Sequence, residues 1–201
     1  MPTSVAIYVF PEVEVLDFAG LYEVFTTASR VFNRRNPSAD PPFHVFTVAQ
    51  QRAPLKARAG LVVQPDFAFD SAPPVDLLVV PGGVVDAELT KAEVIDWIRA
   101  CSGRARVTAS VCTGAFLLAK AGLLQGKAAT THWEDIADLR RQFPDVLVKD
   151  GLRWVDEGAV VTSAGIAAGI DMSLHLVSRL ASPDLASLTA RQMDVPHRSD
   201  A

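Results

Sequence analysis

A cysteine stands where the pattern of the chain changes abruptly. In "RVTASVCTGAFLLAKAGLL" (106–124), a run of small and β-branched residues stops at Cys112 and becomes helical. Ser110 and Gly114 are small and lie two positions before and after the cysteine. A sharp strand-to-helix turn that projects one side chain needs this pattern, because bulky neighbours would clash. The spacing therefore allows two interpretations of Cys112, a nucleophile on a strained turn or a small buried cysteine at a strand end.

The chemistry of a nucleophile at this position is set by its neighbours. A helix that starts directly after Cys112 would favour its thiolate, through exposed N–H groups and the helix dipole. The backbone N–H of Thr113 would then help to stabilise a developing anion. A second turn, Pro81-Gly82-Gly83, also follows a strand-like run, and Gly83 can bring another N–H close to a substrate.

The elements that must position these residues alternate along the chain. Short apolar runs predict strands, hydrophobic spacing of three and four residues predicts helices, and glycine-centred runs predict hairpins. Strands are expected at 4–10, 43–49, 75–83 and just before Cys112. A small hairpin or edge pair is expected at 55–69, and a hairpin at 153–165. Helices are expected directly after Cys112 and at 17–35, 92–102, 134–143, 169–181 and 183–193. This alternation predicts an α/β fold, a three-layer αβα sandwich with a mostly parallel sheet. Ligands of such folds bind at the carboxyl ends of the strands.

Composition limits the class of protein. The 201 residues fit one domain, 1–201, with 194–201 expected as a frayed polar tail. A formal net charge of −4 argues against binding of nucleic acid or anionic membranes. There is no apolar run of membrane-span length and no basic N-terminal signal segment. With two cysteines in the chain, we expect a cytoplasmic protein with free thiols.

Four blocks of the chain resemble the ThiJ/PfpI superfamily, whose members are related to class I glutamine amidotransferase domains. The blocks are "VAIYVFPEVEVLDFAGLYEVF", "DLLVVPGG", "ASVCTGAFLLAKAGLLQGKAATTHW" and "VVTSAGIAAGIDMSLHLV", and they occur in the family's order. The resemblance implies a flavodoxin-like fold with Cys112 on a nucleophile elbow. It also implies oxyanion-hole amides from Gly83 and Thr113, with Gly82 beside them, an acid at Asp17 that faces the cysteine, and a homodimer.

Two departures from the family narrow the function. Many members have a histidine directly after the cysteine, where this chain has Thr113, and many have a glutamate as the facing acid, where it has Asp17. Amidase, peptidase or deglycase-like chemistry is therefore the weaker expectation. The combination resembles the isonitrile hydratase branch and also the N-terminal domain of AraC-type regulators. The 201 residues leave no room for a helix-turn-helix module, so both a stand-alone enzyme and the sensor domain of a longer regulator remain open.

As a hydratase, the chain would add water to a small isonitrile. Asp17 would protonate the isonitrile carbon, and Cys112 would add to it to form a thioimidate that water converts to an N-formamide. Because two adjacent negative charges repel, the two groups should share a proton. The spacing by itself favours another role for Asp17, as the N-cap of the helix over 17–35. As a sensor domain, the same cleft would bind a small molecule without turning it over.

The sequence gives weaker support for a functional role of the remaining candidate residues and motifs. His132 follows a short strand and either lines the pocket or hydrogen-bonds to the backbone. Cys101 shares a helix face with apolar residues and is expected in the core, and Asp171 is expected to cap the last long helix. No spacing of His, Cys and carboxylate residues suggests a metal site. "PGGVVD" lacks the lysine and hydroxyl of a phosphate loop, and no G-x-G-x-x-G occurs, so no organic cofactor is implied.

Overall fold

The computed structural model describes residues 1–197 and is built around a seven-stranded sheet. The strands are β1 Thr3–Tyr8, β2 Phe43–Ala49, β3 Leu55–Lys56, β4 Val62–Val63, β5 Phe67–Ala68, β6 Leu77–Val80, β7 Val107–Val111, β8 Ala128–Ala129, β9 Leu147–Val148, β10 Trp154–Asp156 and β11 Val160–Ser163. The helices are α1 Val15–Arg35, α2 Asp86–Leu89, α3 Ala92–Ser102, α4 Gly114–Lys120, α5 Ile136–Gln142, α6 Ala168–Leu180 and α7 Pro183–Met193.

The main sheet has the order β10-β11-β7-β6-β1-β2-β5. All neighbouring strands run parallel except β10, which pairs antiparallel with β11 across the predicted hairpin. The chain moves from β1 to β2 in one direction and from β6 to β7 in the other. The order therefore reverses between β1 and β6, and the carboxyl ends of these strands form the crevice where α/β folds bind ligands.

Helices cover both faces of this sheet because parallel strands need right-handed crossovers. The β1-to-β2 crossover and the β6-to-β7 crossover proceed in opposite directions, so α1 and α3 lie on opposite faces. Helices α6 and α7 pack with α1, whereas α2 and α4 pack with α3. The predicted three-layer α/β architecture with a mostly parallel sheet is confirmed.

Burial explains why these segments adopt their elements. Every residue of β6 and β7 is buried, as expected for central parallel strands that are covered on both faces. Helix α1 buries Leu21, Val24, Phe25 and Ala28, which lie three or four residues apart on one stripe. Helix α7 begins with Pro183 at its first position, and the Ser182 hydroxyl accepts a hydrogen bond from its first turn.

Several details differ from the prediction. Helix α1 begins at Val15 with Glu14 as its N-cap, so Asp17 is not the cap but lies in the first turn. The sequence pattern did not reveal α2 or β9, because elements of two to four residues show no periodicity, whereas the short strand expected before His132 is present as β8.

The structure describes only part of the chain after α7. Of the tail predicted over 194–201, residues 198–201 lie outside the described residues. Val195 is held in place, since its N–H donates to the Ala190 carbonyl and its side chain packs against the core. Over residues 1–197, none of the helices combines the length and apolarity needed to cross a membrane.

Candidate active site

A cavity of about 430 Å³ opens at the carboxyl ends of β6 and β7 and contains the predicted cysteine. Its walls come from the loops after β1, β6, β7, β8 and β11 and from the hairpin between β3 and β4. The lining residues are Glu14, Arg58, Gly83, Val84, Val85, Asp86, Leu89, Cys112, Thr113, Phe116, His132, Glu134, Asp135, Asp138, Gln142 and Ile166. The site therefore lies beside the crevice where the strand order reverses.

Cys112 occupies the strained turn that the small flanking residues predicted. Its φ is 55°, a left-handed conformation that costs a non-glycine residue about 1–2 kcal/mol. Two hydrogen bonds hold this backbone from the end of β11 and from the loop after β8: the Cys112 N–H donates to the Ser163 carbonyl over 3.1 Å, and the Thr131 hydroxyl donates to the Cys112 carbonyl over 2.8 Å. The turn is thus fixed by tertiary contacts, with the side chain 8% exposed.

Glycines allow the turn after β6 to touch the turn after β7. A Cβ atom on Gly114 would lie 2.1 Å from the Val80 carbonyl oxygen, and one on Gly82 would lie 2.6 Å from the Thr113 nitrogen. Gly83 has a φ of 139° and would place a Cβ 2.3 Å from the Glu12 carbonyl oxygen. The small residues are therefore needed where backbones cross as well as at the elbow itself.

Asp17 lies fully buried next to the cysteine, as the resemblance implied. The Gly82 N–H donates to its Oδ2 over 3.0 Å, whereas Oδ1 has no hydrogen-bond partner among the described residues. Burial raises the pKa of this carboxyl to about 7, with a further increase from Glu14 and opposing effects of the Gly82 amide and the Cys112 thiol. Asp17 can therefore hold a proton near neutral pH.

The Cys112 thiol differs from the thiolate expected at a helix N-terminus. Burial, followed by the negative charge of Asp17, raises its pKa to about 12, and a smaller increase comes from Asp135. The backbone and side chain of Thr113 lower the pKa but do not overcome these effects. Desolvation and a nearby carboxylate outweigh the helix terminus here, so the resting cysteine is a thiol.

The glycine amides are engaged within the protein. The Gly82 N–H binds Asp17, and the Gly83 N–H donates to the Thr113 hydroxyl over 2.9 Å. The same hydroxyl donates to the Gly83 carbonyl over 2.8 Å, so Thr113 fastens the two turns together. The Thr113 N–H faces the cysteine sulfur and is the amide best placed to stabilise a charge there. The Gly83 N–H could bind a substrate only if its hydrogen bond to the Thr113 hydroxyl broke.

His132 lines the cavity, and its ring packs against Gly165. The Nδ1 atom lies 3.4 Å from the Glu134 backbone nitrogen and 3.5 Å from Asp135 Oδ2. Both earlier alternatives for His132 are thus realised in part, because it faces the cavity and also contacts the backbone.

Several charged residues of the site escaped the sequence analysis. Arg58 comes from the hairpin between β3 and β4, Asp86 begins α2, and Glu134 and Asp135 follow His132. The signal for Asp86, Glu134 and Asp135 was proximity in sequence to "PGG" or to His132, which does not distinguish a cavity wall from a solvated surface, and no sequence signal connected Arg58 with the site.

The other candidates lie away from the cavity. Cys101 is 3% exposed in the core, as predicted, and burial raises its pKa to about 11. Asp171 does not cap α6, whose N-cap is Ala167, but pairs with Arg153. Within residues 1–197, no group of three or more His, Cys, Asp or Glu side chains is arranged to hold a metal ion.

Comparison with known proteins gives a consistent family. The profile of the DJ-1/PfpI family matches residues 3–179. An isonitrile hydratase from Pseudomonas putida is 36% identical over 195 residues, which are 96% of this chain and 79% of that protein. A crystal structure of a ThiJ/PfpI family protein from Pseudomonas syringae is 27% identical, has a TM-score of 0.84, and matches 99% of this chain and 78% of that one.

A second class of relative contains regulators. The HTH-type transcriptional regulator GbdR from Pseudomonas aeruginosa is 30% identical over 178 residues. The match includes 89% of this chain but only 47% of the regulator, so the chain spans about half of the regulator's length.

Proposed function

Because this chain belongs to the DJ-1/PfpI family, we propose that it uses the family's elbow cysteine to hydrate small isonitriles to N-formamides. The similarity to an isonitrile hydratase supports this choice of reaction, and the cavity beside Cys112 has room for a small organic substrate.

The observation that carries the proposal is the pairing of two buried acids. Asp17 has one oxygen held by Gly82 and one, Oδ1, with no hydrogen-bond partner of its own among the described residues, and its carboxyl interacts with the Cys112 thiol. The raised pKa values of both groups favour a protonated pair at neutral pH. An isonitrile carbon must accept a proton and a nucleophile together, and this pair offers both. A resting thiolate, by contrast, would supply only the nucleophile.

The reaction then balances without a cofactor. The Cys112 sulfur bonds to the isonitrile carbon while the proton held by the pair moves to that carbon through Asp17, giving a thioimidate, R–N=CH–S. Water adds across the C=N bond, its oxygen to carbon and one hydrogen to nitrogen, with Asp17 moving the proton. The C–S bond then breaks, the hydroxyl proton returns to the pair, and R–NH–CHO leaves.

The surrounding backbone would support these steps. The Thr113 N–H faces the sulfur and would stabilise negative charge as the sulfur leaves. The Gly82 N–H fixes the orientation of Asp17, so that its free oxygen does not rotate away from the sulfur. Positioning of this kind converts the proton transfer into a step within a bound complex.

The test is formamide production from cyclohexyl isocyanide by the wild type and by Cys112→Ala and Asp17→Asn variants. We expect both variants to lose at least about a hundredfold in kcat, because general acid–base groups contribute factors of that order. Circular dichroism and thermal unfolding establish that the variants are folded. Equal turnover by the wild type and the folded Cys112→Ala variant would refute the proposal.

The regulator relatives favour a second candidate, a sensor domain that binds a small molecule in the same cavity without catalysis. Absence of turnover by the wild type across several isonitriles, together with saturable ligand binding that Cys112→Ala retains, would favour this candidate. Turnover that depends on both Cys112 and Asp17 would exclude it.

A further inference from the structure

The charges on the cavity wall are strongly unbalanced. Its lining includes five carboxylates, from Glu14, Asp86, Glu134, Asp135 and Asp138, but only one arginine, Arg58. We propose that the cavity selects substrates with a positively charged group, such as an ammonium, attached to the reacting function. This inference rests on the proposed function for the reacting end and adds the chemistry of the other end.

Ion pairs neutralise only part of the wall. Arg58 Nη1 lies 3.6 Å from Glu14 Oε2, and Arg141 Nη1 lies 2.8 Å from Asp138 Oδ1. Asp86 has no ion pair among the described residues.

Over residues 1–197, the only cationic partner of Glu134 and Asp135 is His132, whose Nδ1 lies 3.7 and 3.5 Å from their oxygens. Even with this histidine protonated, the wall keeps an excess of negative charge.

The negative field extends to the reacting atoms. Asp135 raises the pKa of the Cys112 thiol, so its charge is felt at the floor of the cavity. Burial raises the pKa of Asp135 itself, and repulsion by Asp138 and Glu134 adds to this against the opposing effect of His132. A bound cation would relieve that repulsion, whereas a substrate carboxylate or phosphate would increase it.

Two features separate this wall from an ordinary acidic surface. The cavity ends at Cys112, which is 8% exposed on a strained turn. Asp17 is fully buried, is not part of the cavity lining and interacts with that thiol, and its Oδ1 has no hydrogen-bond partner among the described residues. Apolar side chains of Leu89, Phe116 and Ile166 complete the lining and suit a short hydrocarbon body between the two polar ends.

The experiment compares three isonitriles of similar size. Dimethylaminopropyl isocyanide is cationic at neutral pH, isohexyl isocyanide is its uncharged isostere, and isocyanobutanoate is anionic. We expect kcat/KM to decrease from the cationic to the neutral to the anionic isonitrile. Each carboxylate at roughly 6 Å from the charge of the substrate should contribute about threefold in a water-like dielectric. The preference should shrink as salt rises from about 0.01 to 1 M, because ions screen charges near the surface.

Variants of the cavity carboxylates test which residues cause the preference for a cationic substrate. The double variant Asp86→Asn/Asp135→Asn should reduce the cationic-to-neutral ratio of kcat/KM by about tenfold, because each lost carboxylate contributes about threefold and the two effects multiply. The ratio is the readout because removing Asp135 also alters the thiol. The control is Asp70→Asn, which removes one charge at an exposed turn outside the cavity lining and should leave the ratio unchanged.

Binding of the unreactive formamide products separates the two proposals. If no isonitrile is hydrated but calorimetry shows that the cationic formamide binds more tightly than the neutral one, the reaction is wrong and the cation preference stands. If all three isonitriles are hydrated without a charge preference, the preference is wrong and the reaction stands. Failure of both formamides to bind, together with no turnover, would overturn the preference as well.

Discussion

At the scale of single residues, the site is defined by two acids whose charged forms are both disfavoured. Asp17 is fully buried, and Cys112 is nearly so, and each charge would repel the other. One strong hydrogen bond from Gly82 does not offset the desolvation of the Asp17 carboxyl. At neutral pH the cysteine therefore stays a thiol and Asp17 is about half protonated, in contrast to a peptidase-like cysteine that a histidine keeps ionised.

This protonation state predicts slow alkylation. At pH 8, iodoacetamide should modify Cys112 at least about tenfold more slowly than free cysteine, because so little thiolate is present. The Asp17→Asn variant should react several times faster, since the repelling carboxylate is gone. Mass spectrometry assigns the modified residue, and Cys112→Ala gives the background. Rapid alkylation of the wild type at pH 8 would contradict the raised pKa of the thiol.

At the scale of elements, the site depends on close contact between the turn after β6 and the turn after β7. Gly114 starts α4 directly under the Val80 carbonyl, and Thr113 binds both backbone groups of Gly83. Because the atoms nearest to Gly114 are backbone atoms of Val80 and Pro81, neither turn can yield without moving a central strand.

The contact predicts a large effect for a single methyl group. Gly114→Ala should lower the free energy of unfolding by at least about 3 kcal/mol, because its Cβ would lie 2.1 Å from a backbone oxygen. Urea denaturation provides the measurement. Gly103→Ala is the matched control, since Gly103 has a φ of −64° and its Cβ would have no contact closer than 3.6 Å. A Gly114→Ala variant as stable as the control would refute this close contact between the two turns.

At the scale of the whole molecule, the buried acid makes stability depend on pH. The folded protein holds the Asp17 proton up to a pH of about 7, whereas the unfolded chain releases it near pH 4. The folded state thus binds more protons between these values, so the contribution of Asp17 to stability falls as pH rises from 4 to 7 and is constant above. The full change is on the order of 4 kcal/mol.

The matched comparison is the wild type against Asp17→Asn. The variant should gain stability relative to the wild type as pH increases from 4 to 7, and the difference should be flat from 7 to 8.5. Other titrating groups cancel in this difference, which denaturant titration at each pH gives directly. A stability difference that does not change between pH 4 and 7 would show that Asp17 titrates normally.

The oligomeric state is also a property of the whole molecule. The homodimer expected from the family resemblance stays a prediction, as do a single domain over the whole chain and a cytoplasmic location. Sedimentation of the purified chain is the direct measure of its oligomeric state.

The sequence alone determined the layered α/β architecture and the strained turn at Cys112. Strand and helix periodicities repeat over several residues in each long element, so they can be recognised without knowledge of how the elements pack. The turn at Cys112 was predictable because steric exclusion at an elbow acts on neighbours in the sequence, Ser110 and Gly114.

Only the tertiary structure decided the chemistry of the site. The protonation of Asp17 and Cys112 depends on burial and on a hydrogen bond from Gly82, which is 65 positions from Asp17 along the chain. The acidic wall likewise combines residues from the start of α1, from α2, from α5 and from the loop between β8 and α5, which no local pattern connects. Charge and dielectric environment act through space, and a linear sequence does not show which charges meet.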